Sequence, residues 1–229
     1  LEYGQERRVP SDSVLELAKK DLQTLPFRLI QSHQILVEKE SQHIALGAFS
    51  KGYAIEWSRQ LLINMGIKNF WLEIGGDLAI SGHSKEGRPW TAGIQNPFQD
   101  QGLIGDIQFQ SDSIFNSLAT SGNYRQIFED SNGVKHHHIL DPLTARSVRG
   151  RASVSVLARD ALQADLWATA FFILPRDEIL SILKKRSDLA VLMVFSDSTR
   201  WKSDHFSLYT EYKSAQSFLE TIPSILESK

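Results

Sequence analysis

The chain of 229 residues contains no cysteine. That excludes disulfides, thiolate catalysis, zinc ribbons and iron–sulfur clusters, and leaves oxygen and imidazole groups for any metal or nucleophile. Nor is there a surplus of charge: 25 Lys and Arg oppose 27 Asp and Glu, a formal net of -2. No overall basic field recruits nucleic acid and no polybasic run marks a membrane surface, so no nucleic-acid partner is expected. Long apolar runs are missing too. Stretches such as Leu189–Phe195 are far too short to span a bilayer. No charged-then-apolar segment with a small-residue cleavage site opens the chain, so any export signal is expected to lie outside it. Repeats, low-complexity tracts and dividing linkers are also absent. What remains, 41% hydrophobic and 10% aromatic residues, can bury one sizeable core.

Local pattern alternates between helix and strand. Caps at Pro10-Ser11-Asp12-Ser13 with Val14, Leu15, Leu17, Ala18 and Leu22 at helical spacing predict a first helix ending near Pro26. Short apolar runs at Phe27–Ile30 and Ile35–Val37 predict strands. Ser50–Met65 returns to helical period, with Trp57, Leu61 and Met65 in one row and Gly66 as terminator. Phe70–Ile74 is then a strand, broken by Gly75-Gly76-Asp77 before Leu78–Ile80 continues it. Further strands are predicted at Trp90–Gln95, Gly105–Gln110, Ser113–Thr120 and Tyr124–Glu129, then at Val134–Leu140 after an Asn132-Gly133 turn. The last third offers a strand at Ala152–Ala158, helices at Asp160–Leu174 and Arg176–Lys185, and strands at Leu189–Phe195 and Phe206–Thr210. A helical tail over Ser214–Lys229, interrupted by Pro223, closes it. The whole reads as a single α+β domain over residues 1–229, mostly antiparallel sheet with packed helices.

Four segments carry candidate chemistry. Gly47-Ala48-Phe49-Ser50-Lys51-Gly52-Tyr53-Ala54 leads into a helix, so backbone N–H groups, the helix dipole and Lys51 converge where an anion can sit. The spacing is neither a Walker A loop nor a dinucleotide fingerprint, and a tight strand-to-helix turn with a surface Lys accounts for the same residues. Gly75-Gly76-Asp77 marks backbone that approaches a ligand, or a bulge with an Asx turn. Asp165 and Thr169 lie four apart on one helix face, beside a core stripe of Leu162, Leu166, Ala170 and Ile173. Oxygen donors of that kind, with a main-chain carbonyl, suit Mg²⁺ better than zinc, while an Asp bonded to a neighbouring turn is the plainer reading. In His136-His137-His138 adjacent imidazoles point to opposite strand faces and cannot chelate together, although one can serve as a base. No G-x-S-x-G elbow supports a hydrolase triad.

Taken in order, these segments resemble the ApbE family, the FAD:protein FMN transferases formerly described as thiamine-biosynthesis lipoproteins, and imply its T-fold-like fold. Leu46 to Ala54 is similar to the family's D-L-G-G-I-A-K-G-Y-A, and Leu72-Glu73-Ile74-Gly75-Gly76-Asp77-Leu78 to its V-N-L-G-G-D-I. Leu118-Ala119-Thr120-Ser121-Gly122-Asn123-Tyr124, followed by His138-Ile139-Leu140-Asp141-Pro142-Leu143-Thr144, resembles A-T-S-G-D-Y and H-I-I-D-P-x-T-G. Ala164-Asp165-Leu166-Trp167-Ala168-Thr169-Ala170 resembles the A-D-A-L-S-T-A helix.

The resemblance implies an enzyme that uses FAD as substrate with Mg²⁺, cleaves the diphosphate, and attaches FMN to a Thr or Ser of an acceptor flavoprotein with release of AMP. By that carry-over Asp165, Thr169 and the main chain of Ala48 and Ala168 hold the metal. Lys51, Gly75, Gly76, Asp77, Thr120, Ser121, Gly122, His138, Ile139 and the position of Ala45 line the flavin site. His138 takes the proton of the acceptor hydroxyl, with Asp165 the other catalytic group. Implied acceptors are redox-driven ion-pump subunits or flavin reductases carrying a Ser/Thr flavinylation motif. Periplasm or cell envelope is the implied location, and a membrane is expected only through a lipid anchor outside this chain. Ala45 stands where members carry Asp, Asn123 where they carry an acid, and Arg146 where they carry Gly. The family's N-terminal M-G-T and G-x-F-D blocks are expected to lie outside this chain. A non-catalytic FAD-binding member and an FAD pyrophosphatase are the alternative readings.

Overall fold

A computed structural model of the chain describes residues 9–23, 27–31, 34–37, 44–99, 101–110, 113–124, 127–207 and 210–214. In chain order these form α1 (Asp12–Gln23), β1 (Phe27–Gln31), β2 (Gln34–Val37), α2 (Ser50–Asn64), β3 (Phe70–Ile74), β4 (Asp77–Ser81), β5 (Thr91–Gln95), β6 (Leu103–Phe109), β7 (Ser117–Gly122) and β8 (Ile127–Glu129). There follow β9 (Lys135–His137), β10 (Leu140–Asp141), β11 (Arg146–Ser147), β12 (Arg151–Ala158), α3 (Ala161–Ile173), α4 (Arg176–Leu183), β13 (Leu189–Phe195), β14 (Arg200–Lys202), a 3-10 turn (Asp204–Ser207) and β15 (Thr210–Ser214). Every described strand pairing is antiparallel, and the fold is α+β. The predicted tail helix falls outside the described residues, except that Ser214 ends β15.

Contacts divide the chain into two compact units: Leu1–Leu46 with Arg125–Val148, and Gly47–Tyr124 with Arg149–Lys229. The first unit holds α1 and three small hairpins, β1-β2, β8-β9 and β10-β11. Its β8-β9 turn forms at Asn132-Gly133 as predicted, because the Asp130 carboxylate accepts the Asn132 and Val134 N–H groups and pairs with His136. The strand predicted over Val134–Leu140 is instead two. His137 Nδ1 accepts the Ile139 N–H at 3.3 Å, so the neutral ring carries its proton on Nε2, which donates to Val148 O at 2.7 Å. That buried imidazole turns the backbone at His138 and restarts it as β10.

In the second unit a six-stranded sheet runs β14-β13-β12-β7-β4-β3, and a three-stranded sheet runs β15-β6-β5. Apolar at all seven positions and buried along its first six, β13 occupies the interior of the larger sheet. Leu78, Ile80, Leu157, Leu192 and Val194 of that sheet share one core with Ile94, Ile104, Ile107 and Phe109 of the smaller one. Ala79, on the opposite face of β4, packs with Ile55 of α2 and Ala161 of α3, so both helices cover that face. Ile74 pairs with Asp77, and the two intervening glycines have φ of 61 and 93°. They form a two-residue hairpin turn that only positive-φ residues make well, rather than a bulge in a continuing strand.

Three other expectations shift. Ser113 to Asn116 is loop instead of strand because the Ser113 hydroxyl takes the Phe115 N–H. Phe206 sits in the 3-10 turn, fully buried, and the last strand begins at Thr210. On α3 the buried positions are Ala161, Ala164, Asp165, Ala168, Phe171 and Phe172, whereas Leu166, placed in the core stripe by periodicity, is 37% exposed. Small residues let α3 approach α2 and the sheet closely.

The C-terminal end of α3 is tied to β12 by Arg151, whose guanidinium donates to the carbonyls of Phe171 (3.0 Å), Phe172 (2.7 Å) and Leu174 (2.6 Å). A cation at that helix end satisfies carbonyls the helix cannot. Arg151→Met is therefore expected to cost about 2–4 kcal/mol, read by thermal unfolding as a fall in Tm of roughly 5–10 °C.

Candidate active site

The second unit gathers four elements that carry predicted site residues, α2, β4, β7 and α3, around the N-terminal turn of α2. Gly52 lets α2 and α3 meet: a Cβ there would stand 2.4 Å from Ala161 O and 2.7 Å from Asp165 Cβ. The Gly52 N–H, which in a longer helix would reach back to Ala48 C=O, donates to Asp165 Oδ2 at 2.8 Å. The α2 ladder begins only with Tyr53 N–H to Phe49 C=O at 2.9 Å, so the Ala48 carbonyl is left out of it. Helix N-termini present unsatisfied N–H groups, and Asp165 uses one of them to bridge two helices.

Asp165 is 4% exposed, and its carboxyl is pushed up to about 6. Burial is the main cause, reinforced by the charge of Asp77; the Gly52 N–H and the charge of Lys51 work against it. No described donor other than Gly52 reaches this carboxylate. One turn further along α3, the Thr169 hydroxyl meets Ser121 Oγ of β7 at 3.0 Å.

Asp77 is 2% exposed, and both its oxygens are engaged by protein donors. Oδ1 accepts the Thr120 N–H at 3.0 Å, and Oδ2 pairs with the Lys51 ammonium. Thr120 Oγ1 is held in turn by Ser155 Oγ of β12 at 2.8 Å. Lys51, Asp77, Ser121, Asp165 and Thr169 therefore lie together where α2, α3 and the sheet meet, with Thr120 contributing its N–H there, while the Thr120 hydroxyl and Ser155 share the opposite sheet face with Leu118 and Leu157. Gly75 and Gly76 are exposed in the adjoining hairpin turn, Gly122 ends β7 half-buried, and Ala168 is buried on α3.

Ala45, His138 and Ile139 belong to the first unit, where Ala45 and His138 are exposed and Ile139 is buried. Of the three neighbouring histidines, His136 is committed to Asp130 and stacks on Phe128, and His137 is the buried structural one. Among the described residues no three His, Asp or Glu side chains converge as a metal cluster. The oxygen donors present are one under-bonded buried carboxylate, a hydroxyl and a carbonyl outside its helix ladder. That set fits a hard cation such as Mg²⁺, which takes few protein oxygens and keeps waters. Sequence reasoning saw Gly52 only as a turn residue, since no local signal says which helix Gly52 faces.

The sequence model of the ApbE family matches residues 2–193. The FAD:protein FMN transferase of Vibrio cholerae is 29% identical over 204 residues, covering 87% of this chain and 59% of that protein. Its counterpart in Escherichia coli K12 is 30% identical over 209 residues, covering 88% of this chain and 58% of that protein. The chain thus spans about three fifths of the length of these relatives. Among solved structures, the ApbE protein of Thermotoga maritima superposes with a TM-score of 0.77 at 31% identity, over 88% of this chain and 64% of that one. The flavin transferase ApbE of Vibrio cholerae gives 0.74 at 24% identity over 90% of this chain and 65% of that one, a likeness of fold.

Proposed function

The chain belongs to the ApbE family, and we propose that it acts as an Mg²⁺-dependent FAD:protein FMN transferase that joins FMN to a Ser or Thr of an acceptor flavoprotein and releases AMP. The observation that carries this reading is the layer formed by Lys51, Asp77, Asp165 and Thr169 around the α2 N-terminus. It offers a cation-binding carboxylate and hydroxyl next to an ammonium, which is what a diphosphate requires.

Asp165, Thr169 and the Ala48 carbonyl would hold Mg²⁺, which when bound supplies charge neutralisation at the phosphate oxygens. Lys51, one of whose three N–H donors is spent on Asp77, presents the others to the phosphates. Gly52 keeps α2 against α3, so that the ammonium and the Asp165 carboxylate stay on adjoining turns. In the reaction the acceptor hydroxyl oxygen bonds to the FMN phosphorus as the bridging P–O bond to AMP breaks. The hydroxyl proton is assigned to His138 on the family resemblance, an imidazole being a suitable acceptor near neutral pH.

The direct test incubates the chain with FAD, Mg²⁺ and an acceptor domain bearing a flavinylation motif, followed by intact mass of the acceptor. A gain of one FMN phosphoester, abolished by EDTA, is expected. FMN and AMP appearing without any acceptor gain would show hydrolysis instead, and neither product would overturn both readings.

A further inference from the structure

We propose that Asp77 is a positioning residue that fixes the Lys51 ammonium toward the substrate diphosphate, rather than a group that touches the flavin. The proposal rests on the transferase reading and concerns its diphosphate-facing lysine. Lysine has a long flexible stem and about 2 kcal/mol of rotamer entropy, and on the first turn of a helix nothing local restrains its tip. Here the Lys51 side chain is 34% exposed while that of Asp77 is 3% exposed, so the buried partner sets where the ammonium lies.

Asp77 is itself immobile for reasons visible in the sheet. It is the first residue of β4 after a two-residue turn, paired with Ile74, and its Oδ1 holds the Thr120 N–H of β7 at 3.0 Å. Strand register, turn and backbone hydrogen bond all precede the ion pair. With both oxygens occupied by protein donors, Asp77 offers a ligand little; with two N–H donors remaining, Lys51 offers a phosphate a good deal.

Electrostatics and positioning predict opposite signs, which makes the claim testable. Taking a negative charge away from a diphosphate site should by Coulomb attraction alone tighten FAD binding. If Asp77 acts by holding Lys51, Asp77→Asn instead weakens it, roughly tenfold, because the lysine must then be ordered at the moment of binding. The amide oxygen still accepts from Thr120, so the fold is retained.

FAD affinity at saturating Mg²⁺ is measured by flavin fluorescence for the wild type, Asp77→Asn, Lys51→Met and the double variant. The expected result is weakened binding in Asp77→Asn and a double variant no worse than Lys51→Met alone, since the two residues act through one ammonium. Additive losses, or unchanged or tighter binding in Asp77→Asn, overturn the proposal.

A second measurement needs neither flavin nor a variant. In brief acetic anhydride labelling of the wild type, read by mass spectrometry, Lys51 should acylate several-fold more slowly than the exposed Lys85. Equal labelling overturns the proposal. If the wild type binds no FAD, the transferase reading fails, while slow labelling of Lys51 still upholds its capture by Asp77.

Discussion

Asp165→Asn should make the metal-free protein more stable at pH 8 while abolishing the proposed metal-dependent transfer. In the fold the Asp165 carboxyl is raised from 3.8 to about 6, chiefly by burial. Below the unfolded value the group is protonated in both states and costs nothing. As pH rises from there through about 6 the native state must give up a proton it holds more tightly, so stability is lost, and above about 6 the penalty is complete. Its size is about 3 kcal/mol. Asparagine keeps an acceptor for the Gly52 N–H and carries no charge. Its Tm at pH 8 should exceed that of the wild type by roughly 6–12 °C, with the difference nearly gone at pH 4. Transfer should fall by about 10²-fold or more, since a neutral amide is a poor ligand for a hard cation. A variant with unaltered Mg²⁺ dependence would remove Asp165 from the metal site. With Asp165 as the proposed metal ligand, the same proton would compete with the metal in the wild type, so apparent Mg²⁺ affinity should weaken about tenfold for each pH unit below 6.

Gly52→Ala should damage fold and site together. The new methyl would meet Ala161 O at 2.4 Å and Asp165 Cβ at 2.7 Å, atoms that belong to the α3 backbone or its first side-chain carbon and cannot swing aside. Separating α2 from α3 enough to admit it stretches the Gly52 N–H to Asp165 bond and opens the packing of Ile55 against Ala161. A cost of about 3 kcal/mol follows, seen as a Tm lower by roughly 6–12 °C, with weakened Mg²⁺ binding at temperatures where the variant is still folded. Asp165→Asn and Gly52→Ala should thus move stability in opposite directions while both impair the proposed metal binding. A merely structural role for this contact would not produce that pairing.

Much of the architecture was legible in the residues. α3 runs from Ala161 to Ile173, close to the span its pattern predicts, because Asp160 caps it through the Gln163 N–H and Pro175 follows its end. β13 coincides with its apolar run. Which face of α3 is buried was not legible: the helix is apolar nearly all round, so periodicity selected Leu162, Leu166, Ala170 and Ile173, and close packing selected the alanines and Asp165 instead. The candidate site shows the same division. Spacing placed Asp165 and Thr169 on one face, and ordered motifs pointed to the family. The pairing of Lys51 with Asp77 depends on how β4 lies beside β7 and under α2, which residues 26 apart do not announce. Gly75-Gly76 resembled a bulge because two glycines between apolar runs fit a bulge and a tight hairpin equally well, until Ile74 is seen to pair with Asp77.

On the proposed reading the layer between α2, α3 and the sheet holds a divalent cation. The measurement closest to it is an anomalous difference map from crystals of the protein grown with Mn²⁺ and FAD. A single strong peak bordered by the Asp165 carboxylate, the Thr169 hydroxyl and the Ala48 carbonyl, with the diphosphate beside Lys51, is the predicted result. Mn²⁺ bound elsewhere with FAD in place, or FAD seated with its diphosphate away from Asp165 and Lys51, would contradict it.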